Sequence, residues 1–297
     1  MSDSLWCNIE QHISDSDTSF CSNKRSPVGG GSISSAWRID GAGRSYFVKI
    51  NNTDSEHFDM FAAEYAGLQA LATTNAVRIP RPVCHGKVAK TAYLVCEWLN
   101  LARVSADSAE ILGRQLAALH KHSAGQYGWH RDNTIGATLQ VNTRNDDWCA
   151  FWRQRRLGFQ LALAAANGFT ASLQVKGERL MEKLDVFLGG HNPPVCLLHG
   201  DLWGGNWAAD EQGAPVLFDP AVYFGDRETD LAMTELFGGF PEVFYTAYQE
   251  AWPLDDGYKM RKTLYNLYHI LNHANLFGGA YAAQAEMMMD GLLAEAG

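Results

Sequence analysis

The hydrophobic pattern of the N-terminal third predicts a small sheet with one principal helix. Short β-prone runs alternate with turn residues, and Asp40-Gly41-Ala42-Gly43 between the first two runs is typical of a hairpin. Apolar residues at helical spacing predict a helix over residues 57–72, and residues 5–14 could form a short helix. The β-prone runs are 36–39, 46–50, 83–87 and 92–96.

From about Ser105, a candidate N-cap, the pattern becomes mainly helical. Two short β-prone pieces, 195–198 and 215–218, interrupt it. The layout predicts an α+β chain with a small β-rich front half, a larger helical back half and a join near residues 97–103. The helical segments after the first are 148–166, 229–236, 242–251, 260–276 and 281–293.

Composition narrows the class of protein. The 297 residues are 46% hydrophobic and 19% charged, which is enough apolar material for a core. The net charge of -9 argues against a nucleic-acid partner and is compatible with a cationic substrate. We find neither a secretion signal nor a run of the roughly 18 apolar residues that a membrane helix needs. With six scattered cysteines that read as reduced thiols, the sequence predicts a cytoplasmic protein without a membrane partner, and it does not indicate the oligomeric state.

The main chemical motif is the segment Leu-His-Gly-Asp-Leu-Trp-Gly-Gly-Asn at residues 198–206. Asp201 is followed five positions later by Asn206, and His199 precedes it by two, which is the spacing of a kinase catalytic loop. Asp219 ends the next apolar run. One carboxylate that meets the attacking hydroxyl, with an amide and a second carboxylate that hold Mg²⁺, is what phosphoryl transfer requires.

The front half offers complementary groups for ATP. Glycines before a strand can close over phosphates, although this loop is neither a GxGxxG motif nor a Walker loop. Lys49 lies in a predicted strand and Glu64 in the following helix, where a carboxylate could hold the lysine on the phosphates. Glu56 and Asp59 are competing carboxylates. The phosphate-loop candidates are Gly29, Gly30, Gly31 and Ser32.

A strand end at the predicted join could hold adenine. Glu97, Trp98 and Leu99 follow the last front-half strand, and the backbone groups of Glu97 and Leu99 could hydrogen-bond an adenine edge. An ordinary buried strand end would give the same pattern.

Taken together, these residues look like the protein-kinase-like superfamily and its aminoglycoside phosphotransferase-like branch. Three stretches, 199–207, 218–233 and 264–279, resemble the fructosamine kinase (ketosamine-3-kinase) family, and the likeness extends from about Ser26 to Glu286. The strings Trp-Gly-Gly-Asn-Trp and Gly-Asp-Arg-Glu-x-Asp-Leu-Ala carry most of its specificity.

The resemblance implies a bilobal protein-kinase-like fold, with residues 1–99 as the nucleotide-binding lobe and 100–297 as the catalytic and substrate lobe. It implies transfer of the ATP γ-phosphate to the 3-hydroxyl of a ketosamine, free or attached to protein, and hence repair of glycated amines. Asp201 would be the proton acceptor and Lys49 would contact the phosphates. Asn206 and Asp219 would bind Mg²⁺, and residues 97–99 would hold adenine.

The chain departs from protein kinases in two places. Pro220 follows Asp219 where protein kinases have Phe-Gly, and Gly200 stands where many have an arginine that reads a loop phosphate. Both departures favour a kinase that is always assembled and acts on small molecules.

Several other residues near the motif have predicted roles. Asp230 is predicted to brace the 199–206 loop, and His199 to be a structural hydrogen-bonding residue. Trp203 is a candidate platform for the sugar. Asp226 and Glu228 could face a cationic substrate or form an exposed charged turn. His269, Asn272 and His273 could be metal ligands by their spacing, but packing in the core or in the substrate pocket is favoured. The run 153–156 is predicted to be a solvated helix face.

Three rival functions stay open. The nearest is another small-molecule kinase of the same fold, acting on an aminoglycoside, choline or a related aminated alcohol. A non-catalytic kinase-like binding module and a protein kinase are the others, although the intact Lys49, Asp201, Asn206 and Asp219 disfavour the former. No Ala-Pro-Glu segment supports the latter.

Overall fold

The computed structural model describes residues 2–16, 19–29, 34–52 and 60–297. The N-terminal part holds five antiparallel strands in the order β1-β2-β3-β5-β4, with a helix on each side. Its elements are α1 (Asp3–Ser16), β1 (Lys24–Val28), β2 (Ser35–Gly41), β3 (Arg44–Asn52), α2 (Met60–Ala72), β4 (Pro82–Val88) and β5 (Thr91–Glu97).

Alternation along β5 explains why the sheet is covered on both faces. Tyr93 and Val95 join the apolar cluster beneath α1, whereas Leu94 and Cys96 join the cluster that includes α2 and the C-terminal helices. Strand β1 is an edge strand that the sequence analysis did not predict. It contains Pro27, which an edge tolerates because one of its sides needs no ladder hydrogen bond.

The C-terminal part is mainly helical, with three small sheets. The strands are β6 (Leu101–Ala102), β7 (Asn133–Ile135), β8 (Thr138–Gln140), β9 (Cys196–Leu198), β10 (Trp207–Asp210), β11 (Pro215–Leu217) and β12 (Tyr223–Gly225). The helices are α3 (Ala106–His120), α4 (Trp148–Phe151), α5 (Gly158–Ala166), α6 (Ala171–Glu182), α7 (Leu184–Leu188), α8 (Glu228–Glu235), α9 (Glu242–Ala251), α10 (Tyr258–Phe277) and α11 (Ala280–Glu295).

This arrangement confirms the predicted α+β class, with an antiparallel sheet first and helices afterwards. Ser105 caps α3 as predicted, since its side chain accepts a hydrogen bond from the Ser108 backbone N–H. No helix in the described ranges is both long and apolar enough to cross a bilayer.

The helix predicted over residues 148–166 is confirmed as one continuous helical run, but it is not α-helical throughout, because a π-helical turn, Trp152–Leu157, lies between α4 and α5. The solvated face expected of residues 153–156 is wrong for Arg156, which is fully buried. Its guanidinium donates to the Val141 carbonyl at 2.8 Å and lies 4.0 Å from the Tyr223 ring centroid. A fork of donors with a planar face can be buried where such partners surround it.

Candidate active site

A cavity of about 640 Å³ lies between the N-terminal sheet and the C-terminal part. Lys49 and Glu64 face it from one side, and Asp201, Asn206 and Asp219 from the other. The three polar residues predicted from their spacing therefore share one cavity.

The hairpin formed by β10 and β11 brings Asn206 and Asp219 together. Its register pairs Trp207 with Leu217, and the Phe218 N–H donates to the Asn206 carbonyl at 3.1 Å. The Asn206 side-chain nitrogen donates to the backbone oxygen of Asp201 at 2.8 Å and to its Oδ2 at 3.1 Å. Because Asp201 takes the amide nitrogen, the amide oxygen of Asn206 is the group that can serve a cation.

Lys49 is held between two carboxylates. In β3 it lies on the face opposite the buried Val48 and Ile50, so its side chain points into the cavity. Its Nζ is 2.7 Å from Glu64 Oε1 and 2.5 Å from Asp219 Oδ1. Glu64 is thus the α2 carboxylate that reaches Lys49, whereas Glu56 and Asp59 lie outside the described residues.

The pKa values of Lys49 and Asp201 are both raised, which keeps the amine charged but favours the neutral carboxyl group. Burial alone would lower the pKa of Lys49, but the carboxylates of Asp219 and Glu64 outweigh it and raise that pKa, so the amine stays charged. Burial, reinforced by the nearby negative charge of Asp219, raises the pKa of Asp201 to about 7. A carboxyl with such a pKa can take up a proton near neutral pH.

Asp230 holds the start of the 199–206 loop. Its carboxylate accepts hydrogen bonds from the backbone N–H groups of His199 at 2.7 Å and Gly200 at 2.8 Å, and His120 Nε2 lies 3.1 Å away. Burial would raise the pKa of Asp230, but the hydrogen bond from His120 and the interactions with His199 and Gly200 lower it. The carboxylate therefore stays ionised and braces the loop.

His199 connects the loop to the segment after β11. The Asp201 N–H points at His199 Nδ1 over 3.3 Å, so Nδ1 accepts and Nε2 is the protonated nitrogen that donates to the Phe218 carbonyl at 3.0 Å. Burial lowers the pKa of His199, which keeps the ring neutral. This geometry is that of a structural residue.

The end of β5 reaches the cavity with Glu97, Trp98 and Leu99. The Glu97 N–H donates to the Arg81 carbonyl at 2.9 Å, and the Glu97 carboxylate lies 2.7 Å from Arg78 Nη2. Because the Glu97 N–H is already used, its carbonyl oxygen is the backbone group of this residue that could contact a base.

Apolar side chains face each other across this end of the cavity. They come from the sheet on one side and from the C-terminal part on the other, an arrangement that suits a flat aromatic ring. The residues concerned are Val28, Ala36, Phe47, Leu101 and Phe218. Of the predicted phosphate loop, Gly29 lines the cavity, while Gly30, Gly31 and Ser32 lie outside the described residues.

The expectation that Asp226 and Glu228 face a substrate is not met. Only 1% and 3% of their surfaces are exposed, and neither lines the cavity. Asp226 accepts hydrogen bonds from His191 and Tyr265, both at 2.7 Å, and Glu228 forms a two-point ion pair with Arg261 at 2.7 Å. Partners from distant parts of the chain bury these carboxylates.

Trp203 lines the cavity and is 37% exposed. Its ring lies over Gly205, where an added Cβ would come within 2.3 Å of the ring. Position 205 therefore needs a glycine, because any larger residue would clash with the Trp203 ring in its observed position.

The hairpin of β7 and β8 contributes lining residues that the sequence analysis missed, namely Asn133, Thr134 and Gly136. Asn133 is buried and donates to the Val222 carbonyl at 2.7 Å, which attaches the hairpin to the segment after Asp219. Gly136, with φ of +61°, forms the turn. The sequence signal that could have predicted this hairpin is the alternation of polar and apolar residues on both sides of Gly136.

Comparison with known proteins gives a consistent result. Residues 5–295 match the family model described as fructosamine kinase. A probable ketoamine kinase from Synechocystis is 47% identical over 288 residues, covering 96% of this chain and 95% of the relative. A chloroplastic protein-ribulosamine 3-kinase from rice is 39% identical over 271 residues, covering 90% of this chain and 78% of the relative.

Solved structures show the same fold. A Haemophilus somnus protein with the provisional name fructosamine-3-kinase superposes with a TM-score of 0.88 at 28% identity, covering 97% of this chain and 99% of the other. A thermostable mutant of aminoglycoside phosphotransferase APH(4)-Ia, in complex with AMP-PNP and hygromycin B, superposes with a TM-score of 0.66 at 15% identity, with 98% of each chain covered. At that identity the second likeness concerns the fold alone.

Proposed function

Because the chain belongs to the fructosamine kinase family, we propose that it transfers the γ-phosphate of ATP to the 3-hydroxyl group of a ketosamine, a sugar joined to an amine by glycation. The names of its ketoamine kinase and ribulosamine kinase relatives support this substrate class. The observation that carries the proposal is the common cavity of Lys49, Asp201, Asn206 and Asp219.

In this proposal Asp201 accepts the proton of the sugar hydroxyl. The hydroxyl oxygen forms the new bond to the γ-phosphorus, the bond from that phosphorus to the bridging oxygen of ADP breaks, and ADP keeps the electron pair. The hydrogen bond from Asn206 to Asp201 fixes the carboxylate in place. Positioning of this kind supplies much of the rate in phosphoryl transfer.

Lys49 is proposed to bind the phosphates, with Glu64 holding its amine in the cavity. Gly29, Gly30, Gly31 and Ser32 would cover the phosphates. The adenine would lie between the apolar walls, with its edge on the backbone of residues 97–99. Residues 1–99 would thus form the nucleotide-binding lobe and residues 100–297 the catalytic and substrate lobe.

The donor set fits Mg²⁺, since Asn206 offers an amide oxygen and Asp219 a carboxylate whose side chain is 44% exposed. Oxygen ligands of this kind, completed by phosphate oxygens and water, are those that Mg²⁺ prefers. When bound, the ion would neutralise charge on the transferred phosphate. Asn206 and Asp219 would hold it beside Lys49.

Trp203 is proposed as the platform on which the sugar ring or chain lies. Phosphorylation at the third carbon would destabilise the adduct, so that the amine is released and the reaction repairs glycation. We further propose that this occurs in the cytoplasm, where ATP is available.

The test is steady-state kinetics with purified protein, Mg²⁺ and ATP on a panel of acceptors. We expect ADP release with fructosamines and ribulosamines of the same amine, and none above background with an aminoglycoside, choline or an unmodified peptide. Turnover of the aminoglycoside or choline alone would replace the proposed function with another small-molecule kinase. No Mg²⁺-dependent ATP turnover with any acceptor would indicate a binding module.

A further inference from the structure

A ketosamine presents a positive charge close to the reacting oxygen, and the cavity must accommodate it. The substrate nitrogen is an alkylamine, which is protonated at neutral pH, on the first sugar carbon. The phosphate acceptor oxygen is on the third carbon. Standard bond lengths place the two atoms within about 5 Å of each other. Whatever binds the ammonium must therefore lie beside Asp201.

The acidic side chains that line the cavity are already engaged. Glu64 pairs with Lys49, and Glu97 pairs with Arg78. Asp219 also pairs with Lys49 and is a proposed Mg²⁺ ligand. The buried Asp226 and Glu228, which could have served a cation, face elsewhere. Among the described residues that line the cavity, Asp201 is therefore the only carboxylate without a cationic partner, and the proposed mechanism uses it to accept the hydroxyl proton.

A row of aromatic rings starts at the cavity lining, at Trp203. We use the name aromatic strip for Trp203, Phe237, His273, Phe277 and Tyr281. The Trp203 and Phe237 ring centroids are 6.3 Å apart and nearly perpendicular, and Phe237 is 4.7 Å from His273. His273 continues to Tyr281 at 5.1 Å and Phe277 at 5.7 Å. The strip leads from the cavity lining across α10 to α11.

Three rings of the strip are open to solvent, with exposed fractions of 37% for Trp203, 38% for Phe237 and 53% for Phe277. The backbone of Phe237 has φ of +54°, a left-handed conformation that is unfavourable for a residue with a side chain. Gly238 and Gly239 follow with positive φ as well. The chain thus maintains an exposed ring beside Trp203 at a local cost, which points to a ligand.

We propose that the aromatic strip binds the amine end of the ketosamine, with the ammonium on the faces of Trp203 and Phe237 and its substituent along Phe277 and Tyr281. This inference rests on the proposed function. Aromatic faces attract alkylammonium ions through the negative charge of their π-systems. His273 adds no opposing charge, because burial lowers its pKa and outweighs the hydrogen bond from its Nδ1–H to the His269 carbonyl at 2.8 Å, which acts in the opposite direction.

The exposed outer end of the aromatic strip indicates which substituents the substrate amine can carry. Phe277 is the most exposed ring, so the strip leads outwards and a substituent can extend past it. Amines with an apolar or aromatic substituent gain contact there, and a lysine of a peptide can continue into solvent.

The decisive experiment compares two substrates that differ at one position, where one has a protonated amine and the other has an uncharged ether oxygen. One is a fructosamine made from an alkylamine, and the other is the corresponding 1-O-alkyl ether of fructose. Wild-type protein should favour the amine in kcat/KM by roughly 2- to 30-fold, the size of one cation–π contact. Phe237→Leu should bring the ratio towards one, and Phe237→Tyr should preserve it. An equal kcat/KM for both substrates in wild type, or a ratio unchanged in Phe237→Leu, overturns the inference.

Two further variants, both at exposed positions, separate an effect on substrate binding from an effect on folding. Phe277→Leu, at an exposed position, should lower kcat/KM several-fold more for a benzylamine-derived fructosamine than for a methylamine-derived one. Val186→Ala, an equally exposed change outside the strip, should alter neither. Equal effects of Phe277→Leu on both amines contradict the proposed path of the substituent. Failure of the proposed function is distinct, because then neither amine nor ether is phosphorylated.

Discussion

Asp201 is proposed to accept a proton although its surroundings favour the protonated form. Its pKa of about 7 results from burial and from the charge of Asp219. In the unfolded chain the same carboxyl has the ordinary value near 4. Between these values the folded protein binds one proton more than the unfolded protein, so ionisation of Asp201 lowers the free energy of unfolding as the pH rises.

We therefore expect Asp201→Asn to raise the melting temperature of the ligand-free protein at about pH 8, with a smaller increase at about pH 5. The amide has the shape of the carboxyl group but does not ionise. Differential scanning fluorimetry at both pH values measures this, with the exposed Asp256→Asn as control. A melting temperature shift that is larger at pH 5 than at pH 8 contradicts the raised pKa.

Gly200 is required by the backbone of the same loop. An added Cβ would lie 2.1 Å from the Ala221 carbonyl oxygen, and φ is +83°. Gly213 has the same φ of +83° but nothing within 4 Å of its Cβ position. Gly200→Ala should thus lower the free energy of unfolding by several kcal/mol, against about 1–2 kcal/mol for Gly213→Ala, where only the left-handed backbone costs. Urea unfolding of both variants measures the difference, and equal losses would rule out the steric explanation.

The sequence is sufficient to predict that Asp201, Asn206 and Asp219 share a cavity, because a strand–loop–strand unit of this spacing brings its ends together. For position 200, the sequence shows only that glycine stands where many protein kinases have an arginine. The structure supplies the reason, since no side chain fits there. The burial of Asp226 and Glu228 could not be predicted, because their partners Tyr265 and Arg261 lie on α10, remote in sequence.

At the scale of elements, the β7–β8 hairpin and the π-helical turn form one polar unit behind the site. Asn142 donates to Asn133 at 2.8 Å and accepts from Arg156 at 2.8 Å. Gln140 donates to the Ala221 carbonyl at 3.0 Å. The unit thus supports the segment that follows Asp219.

Arg156→Lys should lower the free energy of unfolding by about 2 kcal/mol, because an ammonium group cannot replace a buried fork of donors stacked on Tyr223. Arg155→Lys, a partly exposed neighbour in the same turn, should change it by less than about 0.5 kcal/mol. Chemical denaturation of the two variants is the measurement. Similar values for both would restore the interpretation of this run as a solvated face.

The hydrophobic pattern is enough to predict most helices and the central strands, because these elements bury one apolar face. It does not reveal the π-helical turn or the burial of Arg156 within it, because the partners of Arg156 come from other parts of the chain. Strand β1, with its polar and proline-containing sequence, is equally hidden, since its pairing with β2 depends on backbone groups.

At the scale of the whole molecule, the cavity is built from both parts of the chain, so a ligand that spans it stabilises them together. AMP-PNP at about a hundredfold excess over its Kd should stabilise the protein by about 2.7 kcal/mol. The stabilisation should need Mg²⁺, and Asp219→Asn should lose the Mg²⁺-dependent share. Thermal shift assays with Mg²⁺ or EDTA measure it. An AMP-PNP shift that is unchanged by EDTA contradicts the assignment of Asn206 and Asp219 as the Mg²⁺ site.

The most direct test of the central claim is an NMR time course of a fructosamine with ATP and Mg²⁺, which reports both the rate and the phosphorylated carbon. Wild-type protein should place the phosphate on the third carbon, and Asp201→Asn should do so ~10²–10⁴ times more slowly, the usual loss for a missing general base. A phosphate on another carbon, or near-normal turnover by Asp201→Asn, would contradict the account.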